Sequence, residues 1–202
     1  MPKHDTYQRA QAIFRKHAGT LRTNEALKDG IHPRTLYAMR DAGLVEMLSR
    51  GLYRLANLPP LAHPDLIVVA KRVPYGVVCL ISALAIHEIT TQVPHEVYIA
   101  IPRGARPPRI DHPPVRAFRF SEPTFSAGIE RMKMDDMLLK VYCPEKTLVD
   151  CFRHRNTIGV DVVIEALRLY GERKPIRIGE LLRFSRICGV EHSMRPYLEA
   201  LL

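Results

Sequence analysis

The stretch from Thr20 to Ala56 constrains this chain most, because two helix starts, two glycine stops and a pair of apolar runs follow one another closely. Thr23 can cap a helix that continues through Asp29, and Gly30 ends it, since glycine tolerates the left-handed cap conformation. A second helix is predicted from Pro33 to Ala42, because proline suits a first helical position. Two helices joined this tightly form a helix-turn-helix.

The second helix has an apolar face and a polar face. Its apolar residues recur at helical spacing and are predicted to face inward with their neighbours: Ile31, Leu36, Met39 and Leu44. The side chains left toward solvent are Arg34, Thr35, Tyr37, Ala38 and Arg40. Further on, Leu44–Leu48 and Leu52–Leu55 flank a turn of Ser49, Arg50 and Gly51, which predicts a β-hairpin tipped by Arg50. The whole pattern is that of a winged helix-turn-helix.

Charge supports a polyanionic partner for this segment. The chain has a formal net charge of +9, and the residues up to Asn57 include ten basic and five acidic side chains. A helix of this length fits the major groove of DNA. We therefore predict DNA contacts from Arg22, Thr23, Arg34, Thr35, Tyr37, Arg40, Arg50 and Arg54. Two alternatives stay open: the charges form only a solvated face, or the winged helix docks a protein partner.

Composition indicates a well-packed protein. With 202 residues, of which 47% are hydrophobic, the chain can bury a proper core. No apolar run approaches the roughly 20 residues that span a bilayer, and the N-terminal sequence is polar, so we expect a cytoplasmic protein. The four cysteines lie far apart without a C-x-x-C pair, which favours free buried thiols: Cys79, Cys143, Cys151 and Cys188.

A proline-rich stretch divides the sequence into a winged helix-turn-helix domain over residues 1–57, a linker over 58–64 and an α+β domain over 65–202. Helices are predicted at Pro64–Val73, at Ala83–Ile89 with Ser82 as its cap after the β-branched run Val77–Leu80, and at Pro144–Phe152, Val160–Tyr170, Ile178–Ile187 and Ser193–Leu201. Strands are predicted at Val97–Ile101, Val115–Phe120, Ile129–Met134 and Met137–Tyr142, the last two as a hairpin. The fold class is α+β, with a mixed C-terminal domain.

The second half carries none of the catalytic patterns that its acidic residues suggest. A nucleotidyltransferase needs two carboxylates at D-x-D spacing, whereas Asp135 and Asp136 are adjacent and fit a hairpin turn. A restriction-type nuclease needs E-x-K along a strand, whereas Glu145 and Lys146 are contiguous at a helix start. No histidine begins an H-E-x-x-H zinc motif. We expect no enzymatic activity, no metal and no cofactor.

Lys146 and Asp150 lie four residues apart, so they can pair on one helix face. An exposed pair contributes about 0.5 kcal/mol or less, and this structural role is a sufficient explanation. The alternative is that Lys146 and Thr147 bind a phosphate at the helix N-terminus, although no glycine-rich loop accompanies them.

A basic strip extends over a proline-broken loop and a predicted strand of the second half, with Asp111 as its one acidic residue. It consists of Arg103, Arg106, Arg109, Arg116 and Arg119. A solvated surface and a second nucleic-acid surface explain it equally well. In the second case Arg153, His154 and Arg155 would add to it.

Five segments occur in a characteristic order: RGLYRLA, HPDLIVVAKRVP, LISALAIHEITTQVPHEVYIAIPRG, YCPEKTLVDCFRHRNTIGVDVVIEALR and RPYLEAL. In this order the chain resembles the AbiEi family, the antitoxins and transcriptional regulators of AbiE-type phage-defence toxin-antitoxin systems. The resemblance implies that the winged helix binds inverted repeats in the promoter of its own operon and represses it. It also implies that the C-terminal domain is needed for antitoxin action against a nucleotidyltransferase-like toxin. Such systems are called type IV, because the antitoxin opposes the toxin's effect without requiring a stable complex.

Overall fold

The computed structural model describes residues 2–173 and 175–200, and the side chains from residue 5 onward within them. The chain divides into two compact units. The first holds the chain to Lys71 together with Lys133–Met137, and the second holds Arg72–Met132 and the chain from Leu138. None of the helices in the described ranges is long and apolar enough to cross a membrane.

The first unit packs helices against a small antiparallel sheet. Its elements are α1 (Pro2–Lys16), β1 (Thr20–Arg22), α2 (Thr23–Lys28), α3 (Pro33–Asp41), β2 (Val45–Ser49), β3 (Leu52–Leu55) and α4 (Pro64–Arg72), which ends at the unit boundary. The sheet order is β1-β3-β2. Fully buried apolar side chains from α1, β1 and α3 meet in one core, among them Phe14, Leu21 and Leu36.

The predicted winged helix-turn-helix forms, with one error in its capping and two missed elements. Thr23 does not cap α2, because it is the first residue inside the helix and Arg22 is the N-cap. The Arg22 backbone N–H donates to Glu25 Oε2 over 2.8 Å, so Glu25 supplies the capping carboxylate. Neither α1 nor β1 was predicted, although β1 pairs with β3 and completes the sheet.

The second unit contains helices and most of a five-stranded sheet. Its elements are β4 (Val77–Val78), α5 (Leu80–Ile86), β5 (Val97–Pro102), β6 (Val115–Phe120), β7 (Ile129–Met134), β8 (Met137–Tyr142), α6 (Pro144–Arg153), α7 (Arg155–Ile158), α8 (Val160–Arg173), α9 (Ile178–Ile187) and α10 (Glu191–Glu199). The ends of β7 and β8 at Lys133, Met134 and Met137 belong to the first unit. The strand order is β6-β5-β4-β8-β7, with β5 parallel to β6, and β4 antiparallel to β5 and parallel to β8. Strands β6, β7 and β8 have the predicted bounds.

Several local predictions in this half differ from the structure, and one helix was missed. The helix predicted at Ala83–Ile89 is α5, which runs from Leu80 to Ile86. Cys79, not Ser82, is the N-cap of α5, and the Ser82 hydroxyl instead accepts a 3.0 Å hydrogen bond from the Tyr98 N–H. Helix α7 was not predicted. The last helix begins at Glu191 rather than Ser193, and its predicted end at Leu201 lies outside the described residues.

The predicted hairpin between β7 and β8 is confirmed. Asp135 and Asp136, at its turn, have φ angles of 46° and 61°, a left-handed conformation that aspartate tolerates better than most residues. The Asp135 carboxylate also accepts hydrogen bonds of 2.9 Å from the backbone N–H groups of Ala62 and His63. Although burial opposes it, these two bonds lower the pKa of Asp135.

Candidate nucleic-acid interface

Helix α3 is anchored by its inner face and fixed at both ends. Leu36 and Met39 are fully buried. His32 is the N-cap, and its Nδ1 accepts a 3.2 Å hydrogen bond from the Arg34 backbone N–H. Gly43 ends the helix at a φ of 68°, which glycine adopts without strain. The outer face of α3 is therefore held by a rigid core.

The outer face of α3 presents guanidinium and phenol groups. Arg34 is exposed, and its side chain makes no ion pair with any other described residue. Arg40 is also exposed, but its Nε and Nη2 donate to Asp41 Oδ1 over 3.0 and 2.7 Å. Its guanidinium lies 5.4 Å from the centroid of the Tyr37 ring, which is 45% exposed. This face can donate in pairs to guanine edges or phosphates.

The wing is tied to the start of α2. The Gly51 carbonyl, at the hairpin turn, accepts hydrogen bonds from the Thr23 N–H over 2.9 Å and from the Thr23 hydroxyl over 3.3 Å. Gly51 has a φ of 71°, and neighbouring Arg50 is exposed at the tip. Thr23 thus has a structural task in the first unit: it positions the wing.

Two residues predicted to contact DNA are not fully exposed. Arg54 is only 6% exposed: its Nη2 donates to the Pro59 carbonyl over 2.5 Å, and its Nη1 lies 3.5 Å from Glu46 Oε1. It is thereby removed from the candidate interface, because a buried and paired guanidinium is not free to meet a phosphate. Arg22 is half-buried at the N-cap of α2.

The basic strip of the second unit does not form one surface. Arg103, Arg106 and Arg109 are exposed in the segment between β5 and β6, and none has an ion pair within the described part of the chain. Arg116 and Arg119 are three residues apart on β6, so they lie on opposite faces of that strand. Arg116 Nη1 is 3.4 Å from Glu96 Oε1, which partly neutralises it.

Of the three residues expected to extend the basic strip, His154 and Arg155 are half-buried and contact aromatic rings. The half-buried His154 ring stacks on Phe120, with centroids 5.7 Å apart, and meets Phe118 edge-on at 5.2 Å. The Arg155 guanidinium lies 4.5 Å from the Phe152 ring centroid. In this group Arg153 alone is exposed and without an ion pair among the described residues.

The N-terminal part of the chain matches a known family. Residues 8–56 match the model of a family described as transcriptional regulator, AbiEi antitoxin. The recognition of the AbiEi family is therefore confirmed over this segment. No curated protein matches the chain.

The fold as a whole is similar to a solved one. The crystal structure of the RV2827C protein from Mycobacterium tuberculosis aligns with a TM-score of 0.51 and 13% identity, over 91% of this chain and 76% of that one. At this identity the likeness concerns the fold, and the predicted α+β class is confirmed.

Residues 8–56, which match the AbiEi family, also include exposed residues that were not predicted to contact DNA. Met47, on the wing strand β2, is 55% exposed, although alternation would place it on the same face as buried Val45. Arg15 and Lys16 end α1 on the surface, without ion pairs in the described ranges. Their charge was visible in the sequence, but α1 was not predicted, so they were not selected.

The phosphate site proposed at Lys146 and Thr147 is wrong, because both residues are fully buried. Lys146 Nζ pairs with Asp150 Oδ2 at 2.5 Å and lies 4.2 Å from the Tyr142 ring centroid. The Thr147 hydroxyl donates to the Tyr142 carbonyl over 3.1 Å. The predicted pair between Lys146 and Asp150 forms, but it is a buried pair and not an exposed one.

The cysteines are buried thiols, and the described acidic residues form no metal cluster. All four cysteines are free and buried, as predicted, and burial raises their pKa values; that of Cys143 rises to about 11. Within the residues that the structure describes, no three His, Cys, Asp or Glu side chains come together to hold a metal ion.

Proposed function

We propose that this protein is a DNA-binding transcriptional autorepressor and the antitoxin of a toxin-antitoxin operon. The observation that carries the proposal is the outer face of α3, where Arg34, Tyr37 and Arg40 project from a rigid helix inside the segment that matches the AbiEi family. A helix-turn-helix inserts such a helix into the major groove and reads base edges with its outward side chains.

Each residue of this face has a distinct part in the proposed interface. Arg34, near the start of α3 and without an ion pair among the described residues, reads a guanine with two donors. Arg40 exchanges Asp41 for a phosphate or a base, while Thr35 and Tyr37 bond the backbone or bases. Arg50 on the wing reaches the flanking minor groove or its phosphates. Two molecules occupy an inverted repeat, since the two-fold symmetry of such a repeat calls for two readers.

The antitoxin part of the proposal rests on the AbiEi match and on the resemblance along the rest of the chain. In this scheme the second unit opposes a nucleotidyltransferase-like toxin encoded nearby, in the cytoplasm and without enzymatic activity of its own. A toxin gene of that kind next to this one, with inverted repeats upstream, is the genomic arrangement that we expect.

A gel shift with the upstream promoter fragment tests the proposal. The wild-type protein should shift the fragment at concentrations that leave unrelated DNA free. The double variant Arg34→Ala, Arg40→Ala should lose at least the roughly 1 to 3 kcal/mol expected for one bidentate base contact, which is about 5- to 150-fold in affinity. Unchanged affinity in the folded double variant would remove α3 from the reading role.

A further inference from the structure

The segment between β5 and β6 of the second unit carries three exposed arginines and one acidic residue, Asp111. Arg103, Arg106 and Arg109 make no ion pair with any other described residue. Most of the other exposed arginines of this unit are paired with a carboxylate. The fold therefore gives these three guanidinium groups no charged partner within the described ranges, and they are available to a ligand.

The backbone of this segment is held in place although it is exposed. The Ala105 N–H donates to the Pro102 carbonyl over 2.9 Å, which closes a turn whose tip includes Gly104. Just beyond the turn, the Tyr75 hydroxyl donates to the Arg106 carbonyl over 3.2 Å. A ligand thus meets a loop that is already shaped, so binding has few residues to order.

Two prolines set the directions of Arg106 and Arg109. Pro107 and Pro108 have fixed φ angles, and each also favours an extended conformation in the residue before it. An extended backbone of this kind has three residues per turn and rises about 3.1 Å per residue, so side chains three apart lie on one side, about 9 Å from each other. Three base pairs of DNA cover a similar length, since each rises about 3.4 Å. The two guanidinium groups therefore match the repeat of a groove.

The fold does not require a glycine at position 104. A Cβ on Gly104 would meet no atom within 4 Å, and its φ lies outside the left-handed region that favours glycine. Gly104 is exposed, and the small Ala105 follows it, between Arg103 and Arg106. A backbone with so few side-chain atoms can approach another molecule closely. The tip of the loop is thus slender and positively charged on both sides.

We propose that this loop inserts into the minor groove of A·T-rich DNA, where Arg103 and Arg106 donate to the acceptors on the floor of the groove. The inference rests on the proposed function, because it needs a DNA-binding protein, but it concerns a site other than α3. The minor groove is about 6 Å wide, and A·T pairs present only acceptors there. In A·T tracts the groove narrows further, and its enhanced negative potential attracts arginine.

The same chemistry disfavours other nucleic acids. A G·C pair places the N2 amino group of guanine in the minor groove, where it obstructs the loop tip and offers a donor to a guanidinium that is itself a donor. Duplex RNA has a wide and shallow minor groove, which does not enclose a slender loop. The loop therefore selects DNA with A·T pairs and reads no further sequence.

Selection of the full chain against a random duplex library, followed by affinity measurements, tests the inference. The wild-type protein should enrich a run of A·T pairs beside the motif read by α3. Replacing that run by G·C pairs should weaken binding by at least about fivefold. Replacing it by inosine·C pairs should leave affinity nearly unchanged, because these pairs lack the N2 amino group although their major groove is that of G·C.

Two variants assign the preference for A·T to the loop. Replacing Arg103, Arg106 and Arg109 by Ala should abolish it, because the guanidinium donors are removed. Gly104→Leu should also abolish it, since the added side chain blocks close approach while every charge remains. The matched control is Gly179→Leu in α9, because Gly179 is exposed and a Cβ there would also meet nothing within 4 Å. This control should keep the preference, and all variants should melt like the wild type.

The outcomes separate this inference from the proposed function. If the wild-type protein bound the G·C version as tightly as the selected duplex, or the inosine·C version as weakly as the G·C version, the loop would not read the minor groove. A folded triple variant or Gly104→Leu variant that kept the full preference would overturn the inference as well. Enrichment of A·T runs without any other motif would uphold it and contradict base reading by α3, whereas a protein that bound no DNA would contradict both.

Discussion

At the scale of single residues, the second unit contains a buried ion pair whose burial the sequence did not reveal. Lys146 and Asp150 are completely enclosed, and Cys188 Sγ lies 3.5 Å from the second oxygen of Asp150. The i,i+4 spacing predicted the pairing. The burial was unpredictable, because lysine and aspartate are almost always at the surface and nothing in the local pattern marked α6 as the centre of the core.

Lys146→Met should destabilise the protein by about 3 to 5 kcal/mol, since it leaves the Asp150 carboxylate buried without its cation. The double variant Lys146→Met, Asp150→Leu should be much less destabilised, because it removes both charges and keeps similar volume. Urea unfolding of the three proteins measures the difference. Equal losses in the single and double variants would mean that packing, not charge, dominates this position.

His154 should make stability depend on pH. Burial lowers its pKa below the ordinary 6.5, and Arg153 and Lys146 lower it further. Below pH 6.5 the unfolded chain therefore takes up a proton that the folded protein refuses, so stability falls as the pH drops from 6.5 toward the lower folded pKa.

His154→Phe keeps the ring stacked on Phe120 and removes the titrating group. The urea midpoint of the variant should therefore change less than that of the wild type between about pH 7.5 and about pH 5. Parallel pH dependences of the two proteins would contradict this role for His154.

At the scale of elements, sequence reasoning succeeded where periodicity was regular. Strands β6 and β8 were bounded correctly because β-branched and aromatic residues end at clear turn signals. Helix α1 was not predicted because it begins with polar residues and its apolar side is short. That side consists of Ala10, Ile13 and Phe14, of which Phe14 is fully buried. Strand β1 was missed because three residues are too few for alternation to be visible.

The attachment of the wing to α2 is open to a test. Thr23→Val removes the hydroxyl bond to the Gly51 carbonyl and keeps the side-chain shape. We expect a loss of about 0.5 to 1.5 kcal/mol in stability. Operator affinity should also fall, because Arg50 at the wing tip is less well placed.

Thr157→Val is the control for this change, since Thr157 is an exposed residue of α7 whose hydroxyl makes no hydrogen bond within the described ranges. Full operator affinity and full stability in Thr23→Val would count against a positioning role for Thr23.

At the scale of the whole molecule, both units carry exposed arginine side chains that are available for DNA contacts, such as Arg34 in the first unit and Arg103 in the second. The AbiEi resemblance was recognised from the order of five sequence segments along the chain, and the family match covers residues 8–56. Helix α3 lies where the proline and glycine signals placed it. The basic strip was predicted as one set of arginines. Its division between a loop and two faces of β6 follows from the alternation of side chains along a strand whose bounds were predicted correctly.

Replacing Arg103, Arg106 and Arg109 by Ala in the full chain assigns the exposed part of that strip. Repression of a promoter reporter and rescue from the toxin should be measured side by side. If this loop contacts DNA, repression should weaken while rescue stays intact, because each lost phosphate contact lowers affinity. Loss of rescue alone would assign the loop to antitoxin action, and no change would make it a solvated surface.

A charge-matched control for the triple variant lies in α9 and α10. Arg183, Arg186 and Arg195 are also exposed, but each is paired with an acidic residue of its own surroundings. Replacing these three by Ala removes the same charge from the protein and should leave repression unchanged.

The salt dependence of operator binding tests the central claim most directly. If α3 and the wing together neutralise about four to six phosphates, the logarithm of the affinity should fall with the logarithm of the salt concentration at a slope near four or five. Arg34→Ala should lower both the affinity and the slope if Arg34 meets a phosphate, and the affinity alone if it reads a base. A flat salt response in the wild-type protein would contradict DNA recognition by this winged helix and would favour a protein-docking module instead.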